Sequence, residues 1–188
     1  MRYASIRNLD ISNGANIGVA LFVQGCDRNP HCKNCFNSET WDFNGGKEWT
    51  EEIKDKFMKL IDRSYIKRVS FLGGECLAEQ NLDEVLKLIQ EIRISFPEKT
   101  IWLYTGFCWN DIMCSFAGLQ ADCVVLDKKD IEAWEKRKKI ISNVDILVDG
   151  EYIDEQKDLS LKFRGSKNQR VIDVQKSLVQ NKVVLYCN

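Results

Sequence analysis

Three cysteines fall within ten residues: Cys26, then five residues to Cys32, then two to Cys35. Thiolates are soft ligands, and a loop carrying three at this spacing gathers their sulfurs about one point, as a metal centre requires. A close Cys-x-x-Cys pair with a third cysteine nearby is one signature of a thiolate-held iron–sulfur cluster. Three ligands for four irons leave one iron open to a substrate, so the absent fourth cysteine points to chemistry rather than plain electron carriage. Two other readings stand beside this one. Structural zinc would use the same cysteines with His31, the single histidine in the chain, although adjacent His31 and Cys32 converge on one tetrahedral ion only with strain. The remaining reading is a loop of free thiols.

Elements that could position such a loop recur along the chain. Residues 19–24 read as an apolar strand delivering the chain to Gly25 and the first cysteine. Thr50 caps a helix carrying Ile53, Phe57, Leu60 and Ile61 at helical spacing. Val69–Leu72 is a buried strand ending at Gly73-Gly74-Glu75. A helix opening at Asn81 follows, with Leu82, Val85, Leu86, Ile89 and Ile92 on its inner stripe and Pro97 beyond its end. Thr100–Thr105 is the next strand, and Trp109–Phe116 reads as helical. Cys123–Leu126 reads as a strand, and Asp130–Ile141 as a charged helix facing inward through Ile131, Trp134 and Ile141. The basic run Lys136–Lys139 on that helix reads as a solvated face. Val144–Val148 is a further strand, and the tail from Phe163 holds strands near Arg170–Val174 and Val183–Tyr186.

This alternation predicts an α/β fold with a parallel sheet and right-handed crossovers. Five to six βα units are too few for a closed eight-fold barrel and fit a partial, incomplete TIM-type barrel. Parallel sheets place their sites at strand carboxyl ends. The cysteine loop, Gly73-Gly74-Glu75, Thr105-Gly106 and Asp149-Gly150 all follow strands directly, so they share one rim. A glycine pair there lets a ligand approach the backbone, or simply makes a strand-to-helix turn. Phe36, taken alone, is a core residue.

The 188 residues suit one domain, 1–188. With 27 basic and 28 acidic residues the net charge is −1, which gives no reason to expect nucleic acid or membrane partners. There is no apolar run long enough for a transmembrane helix, and Met1-Arg2-Tyr3 leads into a polar segment, so a cytoplasmic setting is the default. A secreted disulfide scaffold would be shorter and richer in loops. Cys76, Cys108, Cys114, Cys123 and Cys187 are scattered, and most of them read as small buried hydrophobes.

Gly25-Cys26 through Cys32-Lys-Asn-Cys35-Phe36-Asn37, with Gly73-Gly74-Glu75 downstream, resembles the radical S-adenosylmethionine (SAM) enzymes. Their usual triad has three residues between its first two cysteines, where this chain has five. Further pieces resemble the activating enzymes of anaerobic (class III) ribonucleotide reductase. They are Asp10–Gly14, Asn37–Trp41, Gln80-Asn81, Ile101–Gly106, Ile146–Gly150, and Phe163–Ser166 with Asn168-Gln169, in order from about residue 8 to about residue 172.

The resemblance implies a single radical SAM domain with a 4Fe-4S cluster on Cys26, Cys32 and Cys35, and no catalytic side chain beyond the cluster. S-adenosylmethionine would bind at Phe36, Gly73, Gly74, Glu75, Thr105 and Asp149. Glu75 would meet its amino group, Phe36 would lie near the adenine, and Asp149 would bond a ribose hydroxyl or cap a turn. One electron, from a donor such as flavodoxin, would cleave the cofactor to methionine and a 5′-deoxyadenosyl radical. That radical would take a glycine Cα hydrogen from the reductase, whose peptide loop the open barrel side would admit. The family's arginine is absent from Gly14-Ala-Asn-Ile-Gly18, and Cys76, where the family has proline, is not expected to ligate the fourth iron. Arg164 and Asn168 match the tail motif without an assigned role. The alternatives are a radical enzyme acting on a small molecule, similar to 7-carboxy-7-deazaguanine synthases, an activator of another glycyl-radical enzyme, or a non-catalytic zinc or ferredoxin-like module.

Overall fold

The chain enters on β1 (Arg2–Asp10) and returns antiparallel to it as β2 (Gly18–Val23), a strand buried along its whole length. The computed structural model describes residues 1–113 and 127–187. After β2 come β3 (Lys47–Glu48), α1 (Glu51–Ile61), β4 (Arg68–Gly73), α2 (Glu79–Ser95) and β5 (Thr100–Tyr104). Then follow α3 (Trp109–Met113), α4 (Lys128–Ser142), β6 (Ile146–Asp149), β7 (Arg170–Asp173), α5 (Val174–Gln180) and β8 (Leu185–Cys187). The strand expected at Cys123–Leu126 and the end of the helix expected to reach Phe116 lie outside the described residues.

The eight strands among the described residues join one sheet, in the order β3-β1-β2-β4-β5-β6-β7-β8. Only β2, β4, β5 and β6 pair in parallel, while β1 and β3 at one side and β7 and β8 at the other run antiparallel. Among the described residues the fold is therefore α/β with a mixed sheet, whose parallel part has four strands; the sequence led us to expect five to six βα units. The connection between β6 and β7 explains part of the difference. It is long enough for a crossover, but its described helix is a single 3-10 turn, Asp154–Gln156, and not the α-helix that usually carries a strand back parallel.

Alternation along the strands divides the core between the two faces. Val19, Leu21 and Val23 of β2, with Val69 and Phe71 of β4, pack beneath Phe57, Ile61, Leu88, Ile89 and Ile140 from the helices. Ala20, Phe22 and Leu72 point the other way. Helix α1 begins as its composition requires, with the Thr50 side chain accepting from the Ile53 backbone N–H. Helix α2 starts two residues earlier than expected, because Asn81 turns inward and donates to the carbonyls of Gln24 and Glu75 at 3.1 and 3.0 Å. On α4 the buried residues are Ala133, Ile140 and Ile141, while Ile131 and Trp134 are half-buried. Its basic run is not simply solvated, since Arg137 donates to the Leu77 carbonyl at 2.9 Å and lies 4.8 Å over the Phe107 ring.

The second face is built around Arg68, which is fully buried. Its guanidinium donates to the Asp10 carboxylate and carbonyl, both at 2.8 Å, and to the Asn13 and Ala15 carbonyls at 2.5 and 3.0 Å. The loop from Asp10 to Gly18 thus wraps a cation delivered by β4. A Cβ at Gly18 would stand 2.9 Å from the Arg68 guanidinium carbon, so this arrangement needs glycine there.

Candidate functional site

The parallel strands all end on one edge, and each end opens into a segment singled out by the sequence. From β2 the chain passes into the cysteine loop, which is fastened at its root. Gly25 and Cys26 donate backbone N–H groups to the Thr40 and Trp41 carbonyls at 2.8 and 3.0 Å. The Gln24 amide donates to the carbonyls of Glu39 and Asp42. From β4 the chain passes into Gly73-Gly74-Glu75, which lies directly on that root. The Gly74 N–H reaches the Val23 carbonyl at 3.0 Å and the Glu75 N–H reaches the Gly25 carbonyl at 2.7 Å. A Cβ on Gly74 would stand 2.2 Å from the Gly25 oxygen, and Gly73 has φ +115°, so both glycines serve this close approach of two backbones.

One cavity of about 530 Å³ opens at this edge. Cys26, Cys32, Cys35, Phe36, Gly73, Gly74, Glu75 and Thr105 all line it. Phe36 is half exposed, with its ring 4.9 Å from that of Tyr152, and so is a cavity wall rather than a core residue. Asp149 does not line the cavity, although its neighbour Gly150 does. Arg170 holds the Asp149 carboxylate bidentately, and the Trp109 N–H donates to it at 2.8 Å. The carboxylate thus caps the turn at the start of α3.

Glu75 is the electrostatic centre of the edge. Its carboxylate is buried and accepts from the Leu77 N–H at 2.9 Å, the Thr105 hydroxyl at 2.7 Å and the Gly106 N–H at 2.8 Å. Burial raises its carboxyl above the ordinary range, against the pull of those three donors. No cationic side chain among the described residues pairs with it. A buried carboxylate at a cavity wall with donors but no cation fits a ligand that brings a positive group.

Burial also pushes the Cys26 thiol up to about 11, although the Arg28 backbone N–H donates to its sulfur. Cys32 is likewise raised by burial, against a hydrogen bond from the Tyr152 backbone. Metal binding at these sulfurs must therefore release protons. Among the described residues no three Cys, His, Asp or Glu side chains are close enough to share one ion. A four-iron cluster does not need that, since each thiolate takes its own iron, and three thiols spread around one cavity fit it. His31 is directed elsewhere, with its ring stacked 4.3 Å from Trp41 and its Nε2 3.2 Å from the Cys26 carbonyl oxygen. Cys76 is wholly buried in the core and is not part of the cavity lining.

The sequence reading missed several residues of the lining. Arg28 lies inside the cysteine spacer, and Tyr152 follows the Asp149-Gly150 turn. Asn13 arrives on the loop held by Arg68. Arg164 and Gly165 arrive on a tail segment fastened by Gln169, whose side chain accepts from the Gly165 and Ser166 N–H groups and donates to the Gly150 carbonyl. Arg28 had a signal, being the one arginine in an unusually long spacer. Tyr152 had none, and Asn13, Arg164 and Gly165 had only their places in weak motifs.

Residues 12–172 match the family model of a 4Fe-4S single cluster domain. The chain is 33% identical over 171 residues to the anaerobic ribonucleoside-triphosphate reductase-activating protein of Vibrio cholerae serotype O1, covering 90% of this chain and 96% of that protein. It is 32% identical over 173 residues to the protein of the same description from Escherichia coli strain K12, covering 91% and 97% of the two chains. The corresponding protein of Enterobacteria phage T4 is also 32% identical over 173 residues, covering 91% and 93%. No solved structure matches the chain.

Proposed function

The chain belongs to the family of anaerobic ribonucleoside-triphosphate reductase-activating proteins and carries their 4Fe-4S domain, and from that premise we propose how its residues do the work. It is a radical SAM enzyme that installs a glycyl radical on anaerobic ribonucleoside-triphosphate reductase, using a 4Fe-4S cluster and S-adenosylmethionine. The observation that carries the residue assignments is a juxtaposition. Three cysteines of one loop and a buried carboxylate without a cation line the same cavity.

In this reading Cys26, Cys32 and Cys35 hold the cluster and leave one iron without a protein ligand. The Glu75 carboxylate receives the ammonium group of S-adenosylmethionine, held in place by Thr105 and by the Leu77 and Gly106 N–H groups. Gly73 and Gly74 bring backbone to the same end of the cofactor. Phe36, with Tyr152 behind it, offers an aromatic wall for the adenine. Asp149 acts indirectly, fixing the turn at Gly150 through Arg170. Bound there, the cluster and S-adenosylmethionine supply one-electron cleavage of a sulfur–carbon bond and, from it, removal of a glycine Cα hydrogen on the reductase. The side chains around the cavity bind, orient and exclude water.

The same reading treats residues 1–188 as one radical SAM domain whose strands curl as a partial barrel. Its electron donor is a low-potential protein of the flavodoxin type, and its setting is cytoplasmic. The cysteines at 26, 32, 35, 76, 108 and 187 are all free thiols, which suits a reducing compartment. No helix among the described residues is long and apolar enough to cross a membrane.

Anaerobic reconstitution tests the assignments. The protein should take up about four irons with matching sulfide, and show broad thiolate-to-iron absorption. With dithionite it should convert S-adenosylmethionine to methionine, and serine at Cys32 should abolish both properties. Full iron content in that serine variant would overturn the ligand assignment.

A further inference from the structure

The spacer between Cys26 and Cys32 carries Arg28 into the cavity that the three cysteines line. Its side chain is 28% exposed, and its Nε is shielded from solvent with no hydrogen-bond partner among the described residues. One terminal nitrogen donates to the Gly106 carbonyl at 2.8 Å and lies 3.4 Å from the Glu151 carboxylate. A Cβ at Gly106 would stand 2.6 Å from Arg28 Nε, so any side chain there would push the guanidinium from its present place. The Gly106 N–H in turn donates to Glu75. The guanidinium is thus fastened to the turns after β5 and β6, in the cavity that Cys26, Cys32 and Cys35 also line.

We propose that Arg28 is a positioning residue that makes the bound cluster easier to reduce, by fixing a positive charge beside its thiolates. The inference rests on the cluster assignment above. One electron from a low-potential donor enters the cluster, no bond forms or breaks, and the added negative charge is stabilised by a nearby cation in a partly desolvated cavity. Glu151 opposes this effect by neutralising part of the guanidinium charge. The two residues therefore act with opposite sign.

The experiment is a potentiometric titration of the anaerobically reconstituted full chain with dithionite and mediators, followed by electron paramagnetic resonance, with iron and sulfide counted in each variant. Arg28→Gln should move the midpoint potential to more negative values, and Arg28→Lys should leave it near that of the unaltered protein. Glu151→Gln should move it to more positive values. A purely structural role would move the two glutamine variants in the same direction or neither, and that result overturns the proposal. If Arg28→Gln fails to load iron, Glu151→Gln decides alone, and an unchanged or more negative potential there overturns it. Unaltered protein that takes up no cluster overturns the cluster assignment and this inference together. A normal cluster indifferent to Arg28 and Glu151 overturns the inference alone.

Discussion

Glu75 spends its hydrogen-bonding capacity on three donors from two different turns and meets no cationic side chain among the described residues. Glutamine in its place keeps the size, but turns an NH2 group toward an N–H or hydroxyl that needs an acceptor. Loss of a charged hydrogen-bonding partner in a desolvated site costs about 1.5–3 kcal/mol, roughly ten- to hundredfold in affinity. Glu75→Gln should therefore weaken S-adenosylmethionine binding to the reconstituted protein by at least about tenfold, as read by equilibrium dialysis. Binding within about twofold of the unaltered protein would remove Glu75 from the cofactor site. Cys76 and His31 make the complementary case. Cys76 packs in the core and His31 stacks on Trp41, so alanine at either position should leave iron content intact. Iron loss after His31→Ala, with the fold preserved by circular dichroism, would make that histidine a ligand. The cysteine and glycine motifs were legible because their residues are neighbours in the chain as well as in space. Arg28 and Gly106 lie 78 positions apart, and Asp149 and Arg170 lie 21 apart, so spacing alone could not join either pair.

Strands β2, β4, β5 and β6 were readable because strands buried on both faces are short apolar runs, here closed by glycine or polar turns. Strand β1 was not readable. Its sequence is polar, and Tyr3 and Asp10 are its only buried residues. The antiparallel direction of β7 also escaped the sequence, since direction is set by the connection rather than by the strand's own residues. The loop joining β1 to β2 supplies the element-scale test. Burial alone would raise the Asp10 carboxyl, but hydrogen bonds from Arg68 and Asn13 outweigh it and hold the group below its usual value. Removing one partner of a buried ion pair costs about 3–5 kcal/mol, because the other charge is left unpaired. Arg68→Ala should lose about that much in urea unfolding near neutral pH and loosen the loop that brings Asn13 to the cavity. The stabilisation from Asp10 is fully present above its unfolded pKa, near ~3.9, and is lost as pH falls through its lower folded value. The stability gap between unaltered protein and Asp10→Asn should accordingly narrow in that acid range. A gap that stays constant with pH would mean that Asp10 is not held ionised by Arg68.

At the scale of the whole molecule, the parallel strands make the floor of the cavity and the antiparallel flanks bring its walls. The Asp10–Gly18 loop contributes Ser12 and Asn13, and the segment between β6 and β7 contributes Tyr152, Leu159, Leu161, Phe163 and Arg164. A cysteine loop on the floor with walls from separate segments suits a reaction that must be shielded from water yet open to another protein's backbone. The alternation of elements foretold the floor. The walls were not foretold, because they come from loops and edge strands whose places are fixed by contacts distant in sequence. The central claim is that this chain makes a radical on a partner rather than on itself or a small molecule. The direct measurement is electron paramagnetic resonance on an anaerobic mixture of reconstituted protein, S-adenosylmethionine, dithionite and anaerobic ribonucleoside-triphosphate reductase. The expected result is a glycyl radical doublet that stays with the reductase when the two proteins are separated and is absent when Cys32 is serine. Cofactor cleavage with no radical on the reductase would contradict the account.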